Sequence, residues 1–362
     1  MKKIVMAHPY LPKSVIPAVS KVLKSRWVGQ AAKVDELEKQ LEKRFGYNAV
    51  TTNSGTSALE LAYDLIGLKK GDEVITTPLT CTATNIPLVR RGCRLVFADV
   101  NPSTLCIDRK SVLARISKRT KAVVIVNLAG IKADLPKINI PIVADSCQSL
   151  GINNGDYVAY SFQAIKHITT GDGGALMCRR KKDADEAKLR RWFGIDRTKK
   201  ISNNWQPYKN RAILFDIKYP GYKFHMNDIA AAMGIEGLKE WDKILEHRKK
   251  IFEIYKDAIS EVDNMEIIDG ETNTYWLAGL LTDYRDQFCE YLNKRGIETN
   301  VMHVRNDVYK IFKPYRTKLP NMDWVDERYV YIPCHNKMSI KDAKYIAKTI
   351  KDWGEVQRSA WS

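Results

Sequence analysis

The chain has 362 residues, enough for one large or two ordinary domains with a substantial core. With 44% hydrophobic and 28% charged residues, 13 Pro and 20 Gly, its composition excludes disordered and collagen-like classes. Lys and Arg exceed Asp and Glu by 17, a balance that attracts phosphorylated substrates and nucleic acid alike.

The basic residues are scattered, with only short runs such as 179–182, and no nucleic-acid recognition module is visible. The most apolar stretch, 122–131, falls far short of the roughly 20 residues that span a bilayer. His8 and Pro9 interrupt the apolar run that a signal peptide would need after Lys2 and Lys3. The seven cysteines are odd in number and form no C-x-x-C pair, so reduced thiols in a cytoplasmic protein are expected, with no metal site.

Along the chain, 14–25 and 34–45 carry apolar residues at helical spacing. A short strand-like run at 49–52 precedes a helix over 57–66. Strand-like runs then follow at 73–77, 95–100, 122–128, 141–145, 157–162 and 174–178, with helices expected over 83–91 and 109–117. Such alternation predicts an α/β fold whose mostly parallel sheet is covered by helices on both faces. Around 201–225 the chain turns aromatic and loop-like, and one long helix is expected over 227–259. A strand at 274–281, a helix at 284–294 and a closing helix at 340–353 suggest a smaller α+β domain. The expected division is 1–245 for the large domain and 246–362 for the smaller one.

Three features could carry chemistry. Asn53-Ser54-Gly55-Thr56-Ser57 joins a strand to a helix start, where small capping residues and free N–H groups favour an anion. The same residues would suit any helix N-terminus, and they form neither a Walker loop nor a G-x-G-x-x-G fingerprint. Asp145 ends the apolar run PIVA, where α/β sheets bind ligands; a turn or cap aspartate fits equally at this point. Gln148 follows three residues later. Lys166 lies in the otherwise uncharged stretch SFQAIKHITTG, and desolvation there would lower its pKa and free its amine to attack a carbonyl.

The ordered runs SGTSALEL, TTPLTCTATN, VADSCQSLG, SFQAIKHITTGDGG and GYKFHMNDIAAAMG resemble the DegT/DnrJ/EryC1/StrS family of fold-type-I pyridoxal-phosphate enzymes, mostly nucleotide-sugar aminotransferases. The resemblance runs nearly end to end, from WVGQ at 27–30 to RGIET at 295–299 and the final helix. It implies that Lys166 holds pyridoxal 5'-phosphate as a Schiff base and that Asp145 pairs with the pyridinium nitrogen. It implies further that Gln148 lies near the 3-oxygen and that Gly55, Thr56 and Ser161 bind the phosphate. A neighbouring subunit would complete that site from the GYKFHMND segment, which implies a homodimer with shared active sites.

The chain departs from relatives at Lys223 and His225, which stand where many have Asn and Arg, and at Cys81, where many place an aromatic residue over the ring. The run MHVRND at 302–307 replaces a common His-Tyr-Pro segment, leaving His303 and Arg305 as candidates for substrate contact. The implied reaction moves an amino group from glutamate, through the pyridoxamine form of the cofactor, to C4 or C3 of a nucleotide-linked keto-deoxysugar. Alternatives within the family are a sugar dehydratase, in which a histidine replaces the lysine, and a keto-inositol aminotransferase.

Overall fold

The computed structural model describes residues 3–196 and 217–361. The aromatic run expected as a loop at 203–210 lies outside the described residues. Seven strands form one sheet: β1 (Asn48–Thr52), β2 (Glu73–Thr76), β3 (Arg94–Phe97), β4 (Thr120–Val126), β5 (Ile142–Asp145), β6 (Tyr157–Ser161) and β7 (Gly174–Cys178). Their order is β1-β7-β6-β5-β4-β2-β3. β7 runs antiparallel to both neighbours, and every other pairing is parallel. Val74, Ile75, Val123, Val124, Ile125, Val143 and Ala144 are fully enclosed, as a sheet covered on both faces requires.

The α-helices before residue 191 are α1 (Val15–Ser25), α2 (Ala32–Phe45), α3 (Gly55–Ile66), α4 (Thr82–Arg90), α5 (Arg109–Arg115) and α6 (Lys181–Arg190). The expected helix over 227–259 is two, α7 (Asp228–Lys239) and α8 (Trp241–Ile259). Glu240, at φ −93° and ψ 2°, separates them. Packing imposes this break. Gly237 sits so close to Ile168 that a Cβ would come within 2.5 Å of its Cγ2. Trp241 is buried edge-on against Phe45 and His167.

A second core gathers Ile251, Phe252, Tyr255, Leu280, Phe288, Val330, Ile346 and Ile350. It packs around an antiparallel sheet, β10-β9-β8, made of β8 (Met265–Ile268), β9 (Ala278–Thr282) and β10 (Tyr329–Ile332). Helices α9 (Arg285–Asn293), α10 (Pro320–Asp326) and α11 (Ile340–Trp361) complete the part of the chain that follows α8. This core starts at residue 251 in the chain but also takes in Ile4, which pairs in parallel with Ile297. The N-terminal segment therefore packs on the smaller unit.

The strand expected over 274–281 begins only at Ala278. Its first residues turn instead: Thr274 N–H donates to Gly130 and Leu277 N–H to Ala129, tying the smaller unit to the end of β4. Tyr275 takes a left-handed φ of +55° to allow this.

Candidate active site

The C-terminal ends of β4, β5 and β6 converge on one crevice, the place where an open parallel sheet offers side chains to a ligand. Asp145 closes β5 and is 5% exposed. Its Oδ2 accepts from Thr84 Oγ1 at 2.6 Å, and its Oδ1 accepts from the Cys147 N–H at 3.0 Å. Thr84 in turn lies 2.7 Å from Thr80 Oγ1. A carboxylate has about four acceptor positions, so this one retains capacity for a further donor.

Lys166 sits in the loop between β6 and β7. That loop is closed at its base by Phe162 N–H donating to Gly173 and by Thr170 N–H donating to Phe162. The Lys166 amine lies 3.8 Å from the centre of the Trp276 ring. Burial is the largest influence on this amine and holds its pKa below the ordinary lysine value, while Cys147, Asp145 and Cys81 oppose that shift. The half-buried lysine is thus biased toward its neutral, nucleophilic form, close to an acid at the end of β5.

Gln148 spans the two units. Its Oε1 accepts from Ala129 N–H at 2.9 Å, which leaves its amide nitrogen to donate to His303 Nε2, also at 2.9 Å. His303 is therefore the neutral tautomer protonated at Nδ1. Burial, with the Lys166 charge adding to it, brings its pKa down to about 4. The backbone carries strain here. Ala129, Tyr275 and Met302 all have left-handed φ angles, of +56°, +55° and +50°. Each is a non-glycine residue that touches or directly precedes a site residue, at a cost on the order of 1 kcal/mol apiece.

At the opposite end, Ser54 caps α3 by accepting from Ser57 N–H at 3.0 Å. The Gly55 and Thr56 N–H groups, in the first helical turn, have no acceptor among the described residues and point out of the positive helix end. Only glycine fits at position 55: a Cβ would meet Cys147 Sγ at 2.6 Å and Ser161 Cβ at 3.0 Å. Gly174, paired with Ser161 across β6 and β7, is equally constrained, since its Cβ would fall 2.5 Å from the Ser54 carbonyl carbon. Ser161 is thereby brought against the helix start. The segment bearing Lys223 and His225 runs beside it, with Asn53 N–H donating to Phe224 at 2.7 Å. Lys223 is exposed, and His225 packs edge-on against Trp192 with ring centres 4.1 Å apart.

Two further expected site residues, Arg305 and Cys81, have distinct surroundings. Arg305 is buried, and its guanidinium is committed to carboxylates: Nε and Nη2 donate to Asp307 at 2.7 and 2.8 Å, and Nη1 donates to Asp323. Asp307 is fully buried, so the pair anchors the 302–308 loop, with three of the five guanidinium N–H donors engaged by carboxylates. Cys81 is exposed at the start of α4 and acts electrostatically on Lys166. Thr84, Cys147 and Trp276 belong to the crevice but were not singled out from the sequence. Thr84 and Cys147 lie inside the family-like runs TTPLTCTATN and VADSCQSLG, a signal that could have found them.

These residues fit pyridoxal phosphate. Free helix N–H groups face a glycine-lined cradle at one end, a buried acid stands at the other, and a desolvated lysine lies near that acid. The DegT/DnrJ/EryC1/StrS aminotransferase family model matches residues 9–351. The chain belongs to this family. Its fold is that of a fold-type-I pyridoxal-phosphate transferase, and it is a pyridoxal-phosphate-dependent aminotransferase. AtS13 from Actinomadura melliaura superimposes with a TM-score of 0.89 at 28% identity, covering 97% of this chain and 99% of that one. The sugar aminotransferase CalS13 from Micromonospora echinospora gives a TM-score of 0.88 at 29% identity, covering 96% and 99%. A UDP-4-amino-4,6-dideoxy-N-acetyl-beta-L-altrosamine transaminase of Campylobacter jejuni (strain 81-176) is 30% identical, with 96% of each chain covered. No described helix of this family member is long and apolar enough to cross a membrane.

Proposed function

We propose that this chain transfers an amino group from glutamate to the keto group, at C4 or C3, of a nucleotide-linked keto-deoxysugar. The observation that carries the reading is the grouping of a desolvated Lys166, a buried Asp145 and the open N-terminus of α3 in one crevice. The UDP-sugar transaminase relative supports a nucleotide sugar as acceptor, and the net basic charge suits a diphosphate.

Pyridoxal phosphate, when bound, supplies an aldehyde that captures amines and a ring that accepts electrons. In this reading Lys166 would hold the cofactor covalently, and its amine, once released, would move the proton of the substrate carbon. Asp145, steadied by Thr84 and the Cys147 N–H, holds the positive charge of the ring nitrogen. Gln148 would lie toward the ring oxygen; it also fixes His303, which would face the sugar. Gly55, Thr56 and Ser161 take the phosphate, with Lys223 or His225 completing that site across a homodimer. Cys81 would stand beside the ring, at the position where relatives place an aromatic side chain. Exposed Ile16, Leu23, Trp27 and Val28 form an apolar surface suited to a second copy, with Trp27 74% exposed. The division into 1–245 and 246–362 and a cytoplasmic location with reduced thiols belong to the same reading.

The test is reconstitution with pyridoxal phosphate, borohydride reduction and peptide mapping, followed by incubation with glutamate and a panel of nucleotide-linked 3- and 4-keto sugars. Cofactor mass on the Lys166 peptide and a product in which an amine replaces the ketone are expected. Label on another lysine, or no amino sugar from any acceptor, would overturn the reading.

A further inference from the structure

An amine that is joined to a cofactor for only part of a cycle must be stationed somewhere for the rest. Among the described residues Lys166 Nζ has no hydrogen-bond acceptor or ion-pair partner, and its close contact is the face of Trp276 at 3.8 Å. Trp276 is itself held from several sides. Its Nε1 donates to the carbonyl of Ile165, the residue before Lys166, at 3.1 Å. Its own carbonyl accepts from Arg248 Nη1 at 2.9 Å. The left-handed Tyr275, whose N–H donates to Asn273 Oδ1 at 2.7 Å, sets the direction in which the indole leaves the backbone.

Arg248 is an unusual support. Its guanidinium is buried with no carboxylate partner among the described residues. It donates instead to Cys334 O at 2.8 Å and Asn336 Oδ1 at 2.6 Å, besides Trp276. A buried charge satisfied only by neutral acceptors is expensive, and here it fixes the backbone that presents the indole.

We propose that Trp276 is a positioning residue for Lys166, its ring face holding the free ammonium while its N–H holds the backbone just before it. The inference rests on Lys166 being the cofactor's attachment point. A ring face attracts the charged amine and gains nothing from the neutral one, so Trp276 raises the amine's proton affinity against the opposing effect of burial. The other titratable groups acting on or feeling Lys166 are Asp145, Cys147, Cys81, His303 and His167. None of them supplies a contact of this kind.

The test uses cofactor-free protein and competitive labelling with acetic anhydride, following the Lys166 peptide across pH. Trp276→Leu should lower the labelling midpoint by about one pH unit, and Trp276→Phe by less. An unchanged midpoint, or one that rises because the ring merely excluded water, overturns the proposal. Should the leucine variant not fold, the unaltered protein decides. The Trp276 indole N–H resonance should move with the Lys166 midpoint and stop moving in Lys166→Met; a resonance indifferent to Lys166 overturns the proposal as well. Borohydride mapping keeps the two ideas apart. Label on Lys166 with an unshifted midpoint rejects only the role of Trp276, whereas label elsewhere rejects the attachment point itself.

Discussion

The side-chain amide of Gln148 donates to Nε2 of His303 across 2.9 Å, joining the end of β5 to the loop that follows α9. Because the same amide's oxygen is occupied by Ala129 N–H, the imidazole can only accept at that nitrogen. A neutral His303 is the result, with its proton on Nδ1.

Exchanging the donor should therefore change the charge of the ring. In Gln148→Glu a carboxylate favours the imidazolium, and the His303 pKa should climb from about 4 by roughly two units or more. Proton NMR titration of the cofactor-free protein measures this. A His303 resonance that still titrates near its original value would show that the two side chains do not meet in solution.

Thr84 gives a second prediction. Its hydroxyl donates to a buried carboxylate, a bond worth about 1.5–3 kcal/mol. Thr84→Val should weaken pyridoxal-phosphate affinity by about 10- to 100-fold without unfolding the chain, while Asp145→Ala should cost considerably more. Equilibrium dialysis of cofactor against both variants checks the order. Equal affinity in Thr84→Val and the parent would show that the hydroxyl does not tune Asp145.

Arg305→Ala separates anchoring from substrate binding. Removing the guanidinium leaves buried Asp307 with only Arg316 Nε, 4.0 Å away, which should cost about 3–5 kcal/mol of stability in urea unfolding. A variant of parental stability whose KM for the nucleotide sugar rises would restore Arg305 as a substrate contact.

Acid should loosen the hold on the N-terminal segment. His335 Nε2 donates to Val5 O at 3.1 Å while Nδ1 accepts from Lys337 N–H at 3.3 Å, an arrangement that needs the neutral ring. Burial brings its pKa to about 4, below the usual 6.5 of an unfolded histidine. The unfolded chain then binds the proton more readily, so this contribution is complete above pH 6.5 and is lost as pH falls toward 4. It amounts to about 3 kcal/mol at most. Urea unfolding at pH 7 and pH 5 should show the decline, and His335→Asn should reduce it. An identical pH slope in that variant would assign the decline to other groups.

The central strands and the lysine loop were legible in the sequence because a sheet covered on both faces demands unbroken apolar runs, and β4 and β5 have them. The ends of the site were legible through the family-like runs around Gly55, Asp145 and Lys166. What escaped was imposed by tertiary contact. Tyr275 has no local reason to adopt a left-handed conformation, so TYWLAGLL reads as a strand, and the turn that delivers Trp276 is invisible. Glu240 is a good helix former, and the break beside it comes from Gly237 meeting Ile168 and from the burial of Trp241. Arg305 reads as a free cation until Asp307 is seen enclosed beside it.

Among the described residues β1 lies at the rim of the large sheet and pairs with β7 alone, with Ser54 and Gly174 nearly touching. The proposed phosphate cradle therefore joins segments more than a hundred residues apart, and a nascent chain cannot assemble it until Cys178 has left the ribosome. Until then β1 has no edge to join, and α3 ends in donors with nothing beside them. The cofactor site is a late product of biosynthesis, and added pyridoxal phosphate should trap completed chains while leaving shorter ones unprotected.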